Sequence, residues 1–156
     1  MKLQQILESR GRSVTVKGVS PEHFAQYVRS KSELIDVLKD KYGKGSIDHI
    51  VRLFAEHNIL VADNVEINAP VNELYKYREY DRDMVNGWTG KATQEEYDDL
   101  KQQIAAEGIK QAATLDMTRN HDNGNVEVKL GEGNHRLKIA RELGIDTMPL
   151  RFYYRK

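Results

Sequence analysis

Val126–Arg151 reads VEVKLGEGNHRLKIARELGIDTMPLR, and this stretch decides the fold. Val126, Val128 and Leu130 alternate with polar residues, the period of a half-buried strand. The run is expected to stop at Gly131-Glu132-Gly133. Asn134-His135-Arg136 follows, and then Leu137, Ile139, Ala140 and Leu143 recur at helical spacing. Gly144 stands where a helix commonly ends in a left-handed residue, and Pro149 lies shortly beyond. Strand, glycine turn and helix start together make an anion site. Glycine lets the backbone approach a ligand, and the first helical N–H groups and the helix dipole favour negative charge. His135 and Arg136 add side-chain donors, so a phosphate-bearing partner is expected here.

Working outward, 156 residues suit a single domain with at most a small appendage. Apolar residues make up 39% and charged residues 31%, enough for a core beneath a very polar surface. Lys+Arg and Asp+Glu are both 24, which argues against a strongly basic nucleic-acid binder. Cysteine is absent, which excludes disulfides, thiolate metal sites and cysteine nucleophiles. His23, His49, His57, His121 and His135 form no H-x-x-x-H pair, so zinc is not expected. No apolar run approaches the ~20 residues of a membrane span, and no signal-peptide core opens the chain. No membrane association and a cytoplasmic location are expected.

The chain divides into two stretches. Residues 1–64 read as a small, mostly helical unit. A helix ending near Gly11 precedes a strand over Val14, Val16 and Val19. Ser20-Pro21-Glu22 predicts a helix through Phe24, Tyr27 and Val28. Ser32 is expected to cap the next helix, carrying Leu34, Ile35, Val37 and Leu38. A third helix carries Ile47, Ile50, Val51, Leu53 and Phe54 and ends near Asn58. This unit is either a cap on the rest or a helix-turn-helix with Lys39, Lys41, Lys44 and Arg52 near DNA; its many acids weigh against the second. Residues 65–156 open on a strand at Val65, Ile67 and Val71. A tyrosine- and charge-rich segment (75–83) and a loop with Gly87, Trp88 and Gly90 follow. Thr93 and Glu96 form a capping box for a helix carrying Tyr97, Leu100, Ile104 and Ala105, closed by Gly108. A strand from Ala112 to Met117, an Asn123-Gly124 hairpin turn, the opening stretch, and a last strand through Leu150, Phe152 and Tyr154 complete the chain. The fold class is α+β.

In this order the second stretch resembles a known family. The marks are the strand; Leu74 to Arg82; a helix ending Ile104 to Gly108; Gln111; the hairpin; Gly133-Asn134-His135-Arg136-Leu137; Ala140 to Gly144; and Pro149 before the last strand. Residues 65–155 resemble the ParB/sulfiredoxin-like superfamily. The resemblance implies a mixed-sheet domain that binds a nucleotide, ATP or CTP, with Mg²⁺. Gly133 and Arg136 would hold the triphosphate, with Gly131, Asn134 and His135 in the same turn and Arg82 as a second clamp. Some relatives are kinases with a catalytic glutamate in the first segment. The nearest acids here are Glu79 and Asp81, expected as catalytic residues beside His135, with Glu79 near the metal. The kinase proline-threonine is replaced by Tyr77-Arg78. Sulfiredoxins carry a reactive cysteine where this chain has Asn134, so their reductase chemistry is excluded.

Each candidate also has a plainer role. Arg136 would pair with Glu132 or Glu142, His135 would pack beneath the turn, and Asn134 would cap the last helix. Tyr75, Tyr77, Tyr80 and Trp88 would either stack on a base or fill the core. The leading expectation is a nucleotide-binding protein with phosphoryl transfer or hydrolysis. The alternatives are a non-enzymatic DNA- or protein-binding regulator, of a size that suits a phage or mobile element, and a ParB-like nuclease.

Overall fold

A computed structural model describes residues 14–19, 26–42, 47–78 and 93–155. The elements are β1 (Val14–Val16), β2 (Gln26–Val28), α1 (Lys31–Tyr42), α2 (Ile47–His57), β3 (Ile59–Val61), β4 (Glu66–Pro70), α3 (Val71–Leu74), a 3₁₀ turn (Tyr75–Tyr77), α4 (Gln94–Glu107), β5 (Ala113–Arg119), β6 (Val126–Glu132), α5 (Asn134–Glu142) and β7 (Thr147–Arg155). The fold class is α+β. A mixed sheet has the order β1-β6-β5-β7-β4, and β2 pairs with β3 separately. The pairs β1/β6, β5/β6 and β4/β7 are antiparallel, while β5/β7 is parallel. Two parallel strands cannot share a tight turn. The chain therefore turns at the hairpin, returns along β6, and crosses β5 through α5 to reach β7.

Alternation sets the two faces of the sheet. Ala113, Leu115 and Met117 of β5 and Val126, Val128 and Leu130 of β6 are fully buried on one face. They share one core with Ile50, Leu53 and Phe54 of α2, Leu137 and Ala140 of α5, and Leu150 and Phe152 of β7. Each of the larger side chains among them contributes roughly 1.5–3 kcal/mol by leaving water. Residues on both sides of position 65 thus build the same core, and β1 extends the sheet with Val14 opposite Val128. Arg119 adds a polar tie. Its guanidinium donates to the carbonyl oxygens of Gly124 (2.7 Å), Val19 (3.3 Å) and Phe54 (2.6 Å) and to Asn58 Oδ1 (2.5 Å). It also lies 4.6 Å from the centre of the Phe54 ring.

Several local expectations are corrected. The helix through Tyr27 and Val28 is replaced by strand β2, parallel to Ile59–Val61. Short runs of aromatic and β-branched residues serve either period, and the unforeseen partner β3 decides for the strand. Ser30, rather than Ser32, caps α1: its Oγ accepts from Glu33 N at 3.2 Å. Leu34 is buried but Ile35 is exposed. Val71 begins α3 instead of closing a strand. The Thr93 capping box holds, with Glu96 N donating to Thr93 Oγ1 at 3.1 Å, and Gly108 ends α4 at φ 79°. Ala105 of that helix is exposed; Tyr97 and Ile104 pack against Ile139 of α5. The hairpin closes through a longer turn, with Asn120 N bonded to Asn125 O at 2.7 Å. The early helix near Gly11, the Phe24 region and the Trp88 loop lie outside the described residues.

Candidate functional site

Strand β6 runs on through Gly131 to Glu132, two residues past Leu130, where the glycine pattern predicts its end. Gly131 is therefore a strand residue. Its alternation places it on the outer face, where an added β-carbon would stand 2.3 Å from Asp116 Oδ2. The turn itself is Gly133, which takes φ 97°, ψ 16° and serves as the N-cap of α5. This left-handed backbone suits glycine. A β-carbon there would also meet Ala113 Cβ at 2.7 Å. No side chain caps the N-terminus of α5.

Asn134 does not take the helix-capping role expected of it; Gly133 holds the N-cap position. It is buried, and its Nδ2 donates back to the carbonyl oxygen of Leu130 at 3.1 Å. It stitches strand to helix instead of capping the helix. Arg136 folds toward the strand before it. Nη1 donates to Gln111 Oε1 at 3.0 Å and Nη2 to Ala112 O at 3.2 Å. Its Nε is buried with no hydrogen-bond partner among the described residues. Burial pulls the Arg136 pKa below its usual value, and Glu132 opposes that pull. Neither expected carboxylate partner forms an ion pair with it; Gln111 and the Ala112 carbonyl take that place.

A second arginine, not singled out from the sequence, completes the turn. Arg78 is fully buried behind Asn134, and its Nε donates to Asn134 O at 3.0 Å. Burial lowers its pKa, while the fields of Tyr75, Tyr97 and Glu142 raise it. Tyr75 faces two guanidinium groups, with Arg141 4.2 Å and Arg78 5.5 Å from its ring centre. The only sequence signal for Arg78 is its place after the Tyr75–Tyr77 turn, in the segment that the family resemblance sets beside the glycine turn.

The helix start carries an aromatic layer. His135 meets the Tyr97 ring edge-on at 5.7 Å, and Lys138 lies 5.4 Å from the same ring centre. Tyr97 donates to Glu142 Oε1 at 2.7 Å, and Lys101 pairs with that oxygen at 3.3 Å. Burial and the bond to Glu142 push the Tyr97 hydroxyl well above its ordinary range. Burial alone would raise Glu142, but the bonds from Tyr97 and Lys101 outweigh it and hold the carboxyl low. Tyr97 is thus a neutral donor and Glu142 an ionised, engaged acceptor.

The remaining candidates divide clearly. Tyr77 is a core residue whose hydroxyl donates to Asp48, so it presents no face to a base. Of the basic residues read near DNA, Arg52 pairs with Glu56 at 3.0 Å. Glu79, Tyr80, Asp81 and Arg82 lie outside the described residues. Among the described residues no cluster of His, Asp and Glu is arranged to hold a metal ion, and no helix is long and apolar enough to cross a membrane. No protein-family model matches this chain, and neither the curated proteins nor the solved structures contain a match.

Proposed function

We propose that the Gly133–Arg136 turn binds the phosphates of a nucleoside triphosphate, ATP or CTP with Mg²⁺, as the ParB/sulfiredoxin-like resemblance implies. The supporting observation is the uncapped start of α5 beside the buried Arg136 Nε, which lacks a protein partner among the described residues. Backbone N–H groups at a helix start and a guanidinium donor suit phosphate oxygens. Arg78 adds a fixed positive charge below, and Lys138 lies one turn along. Arg136 is anchored at Gln111 and Ala112 through two of its five N–H donors, so it serves as a preset charge rather than a mobile clamp.

Glu79 or Asp81, with Arg82 and His135, would supply phosphoryl transfer or hydrolysis. A second reading, a regulator that binds without turnover, is favoured by one observation. Glu142, a carboxylate beside the start of α5, is engaged by Tyr97 and Lys101 and so is not itself placed to act as a base. Calorimetry of the full chain with ATP, CTP, GTP and UTP, with and without Mg²⁺, tests the binding. Saturable binding of at least one is expected. A carboxylate introduced by His135→Glu at the helix start should weaken it about tenfold or more. Silence with all four nucleotides in folded protein removes the proposal. Release of nucleoside diphosphate separates turnover from binding alone.

A further inference from the structure

The outer face of the sheet carries a second site, at the opposite end of β6 from the glycine turn. The register sets Thr15 opposite Glu127, Glu127 opposite Thr118, and Thr118 opposite Arg155. These side chains form one row across β1, β6, β5 and β7. The row floors a cleft of about 440 Å³ that the Asn120–Asn125 turn walls at one end. That volume falls within the usual range of small-molecule sites.

The donors and acceptors are fixed by bonds already made. Asn120 Oδ1 accepts from Asp122 N at 2.8 Å, Asn123 Oδ1 from Asn125 N at 2.9 Å, and Asn125 Oδ1 from Gly18 N at 3.4 Å. A backbone N–H needs an oxygen opposite it, which sets the amide orientation of Asn120 and Asn123 firmly and that of Asn125 through the longer contact. Each side chain therefore offers its NH₂ end as a donor. Arg155 is held at the cleft edge by Asp116, which is buried and accepts from Nε at 3.0 Å and Nη2 at 2.8 Å. Gly131 makes room for that carboxylate.

Charge chooses the ligand class. Lys129 and Arg155 are offset by Glu127 and by Asp116 beneath, so the cleft has no excess positive charge for a polyanion. The side chains that line it are all of polar or charged residues, so an apolar ligand would cover hydrogen-bonding groups without partnering them. A hydroxyl both donates and accepts, and it matches a mixture of amide donors, threonine hydroxyls and one carboxylate. Tyr153, on the same face and 46% exposed, offers a flat ring beside Arg155. We infer that this cleft binds a neutral, hydroxyl-rich ligand of the oligosaccharide class.

The test is a microarray of neutral glycans probed with the full chain. An NMR titration of the ¹⁵N-labelled protein with the strongest glycan follows, beside a parallel titration with oligo(dT). The side-chain NH₂ signals of Asn120, Asn123 and Asn125 and the amides of residues 127–129 should move. The amides of residues 133–137 should stay still. Glu127→Gln, at an exposed position, should weaken binding about tenfold, the effect of losing one charge-assisted hydrogen bond. Absence of binding to every neutral glycan, binding that Glu127→Gln leaves unchanged, or oligo(dT) occupying the cleft in the glycan's place would each overturn the assignment.

Discussion

Arg78 Nε donates to the carbonyl oxygen of Asn134 at 3.0 Å, which sets a fully buried guanidinium against the first residue of α5. A charge this deep persists only where it is bonded. Arg78→Met should remove the charge and leave the Asn134 region short of its donor, at a cost of about 2–4 kcal/mol. Arg78→Lys keeps the charge but loses the planar fork and should recover only part of the loss. Urea unfolding of both variants checks the order.

Two glycines allow the strain at the turn to be separated from its crowding. Gly133 and Gly144 both have left-handed backbones, at φ 97° and φ 73°. Around Gly144 an added β-carbon meets nothing within 4 Å, whereas at Gly133 it meets Ala113 Cβ at 2.7 Å. Gly144→Ala should cost only the conformational part, about 1 kcal/mol. Gly133→Ala should cost clearly more, about 2–4 kcal/mol, because packing must also give way. Thermal unfolding that ranked the two equally would show that the contact with Ala113 relaxes freely.

Arg119 should behave as a structural tie between α2, the segment before α1 and the hairpin. Its donors reach four acceptors at once, Val19 O, Phe54 O, Gly124 O and Asn58 Oδ1. Arg119→Lys retains a charge but cannot span that set, so a loss of about 2–3 kcal/mol is expected. Hydrogen exchange should reveal it first as faster exchange at Val19 N, which donates to Ala55 O.

Acid should destabilise the fold through identifiable carboxylates. Burial raises the pKa of Asp48, but bonds from Lys76 (2.7 Å) and Tyr77 (2.5 Å) outweigh it and hold the group below its ordinary 3.8. Glu142 is likewise held below 4.5. A carboxylate with a depressed folded pKa adds stability above its unfolded pKa and loses it as pH falls through the folded value. The urea midpoint should therefore decline below pH 4.5 as Glu142 titrates and fall further below 3.8 as Asp48 does. In Asp48→Asn the lower part of that decline should flatten.

Long, strongly periodic elements were legible from the sequence. The Thr93 box, the alternation of β6 and the helix Asn134–Glu142 with Gly144 beyond its end all state their period over enough residues to exclude the other one. Short elements were not. Gln26–Val28 becomes a strand only because Ile59–Val61 lies beside it, and no local pattern reports a partner so far along the chain. At the candidate site the sequence located Gly133, His135 and Arg136 on one turn. It could not show that Asn134 turns inward, that Gly131 belongs to Asp116, or that Arg78 lies beneath, since each depends on what packs opposite. Arginine in a charged segment reads as a surface residue by default. Only the folded chain distinguishes Arg78 from its neighbours.

The most direct measurement is a ¹⁵N-NMR titration of the full chain with ATP and with CTP in the presence of Mg²⁺. Saturable movement of the backbone amides of Gly133 through Leu137 and of the Arg136 Nε–H signal is expected, with the hairpin cleft undisturbed. If those signals remain fixed at millimolar nucleotide while the protein stays folded, the turn is not a phosphate site.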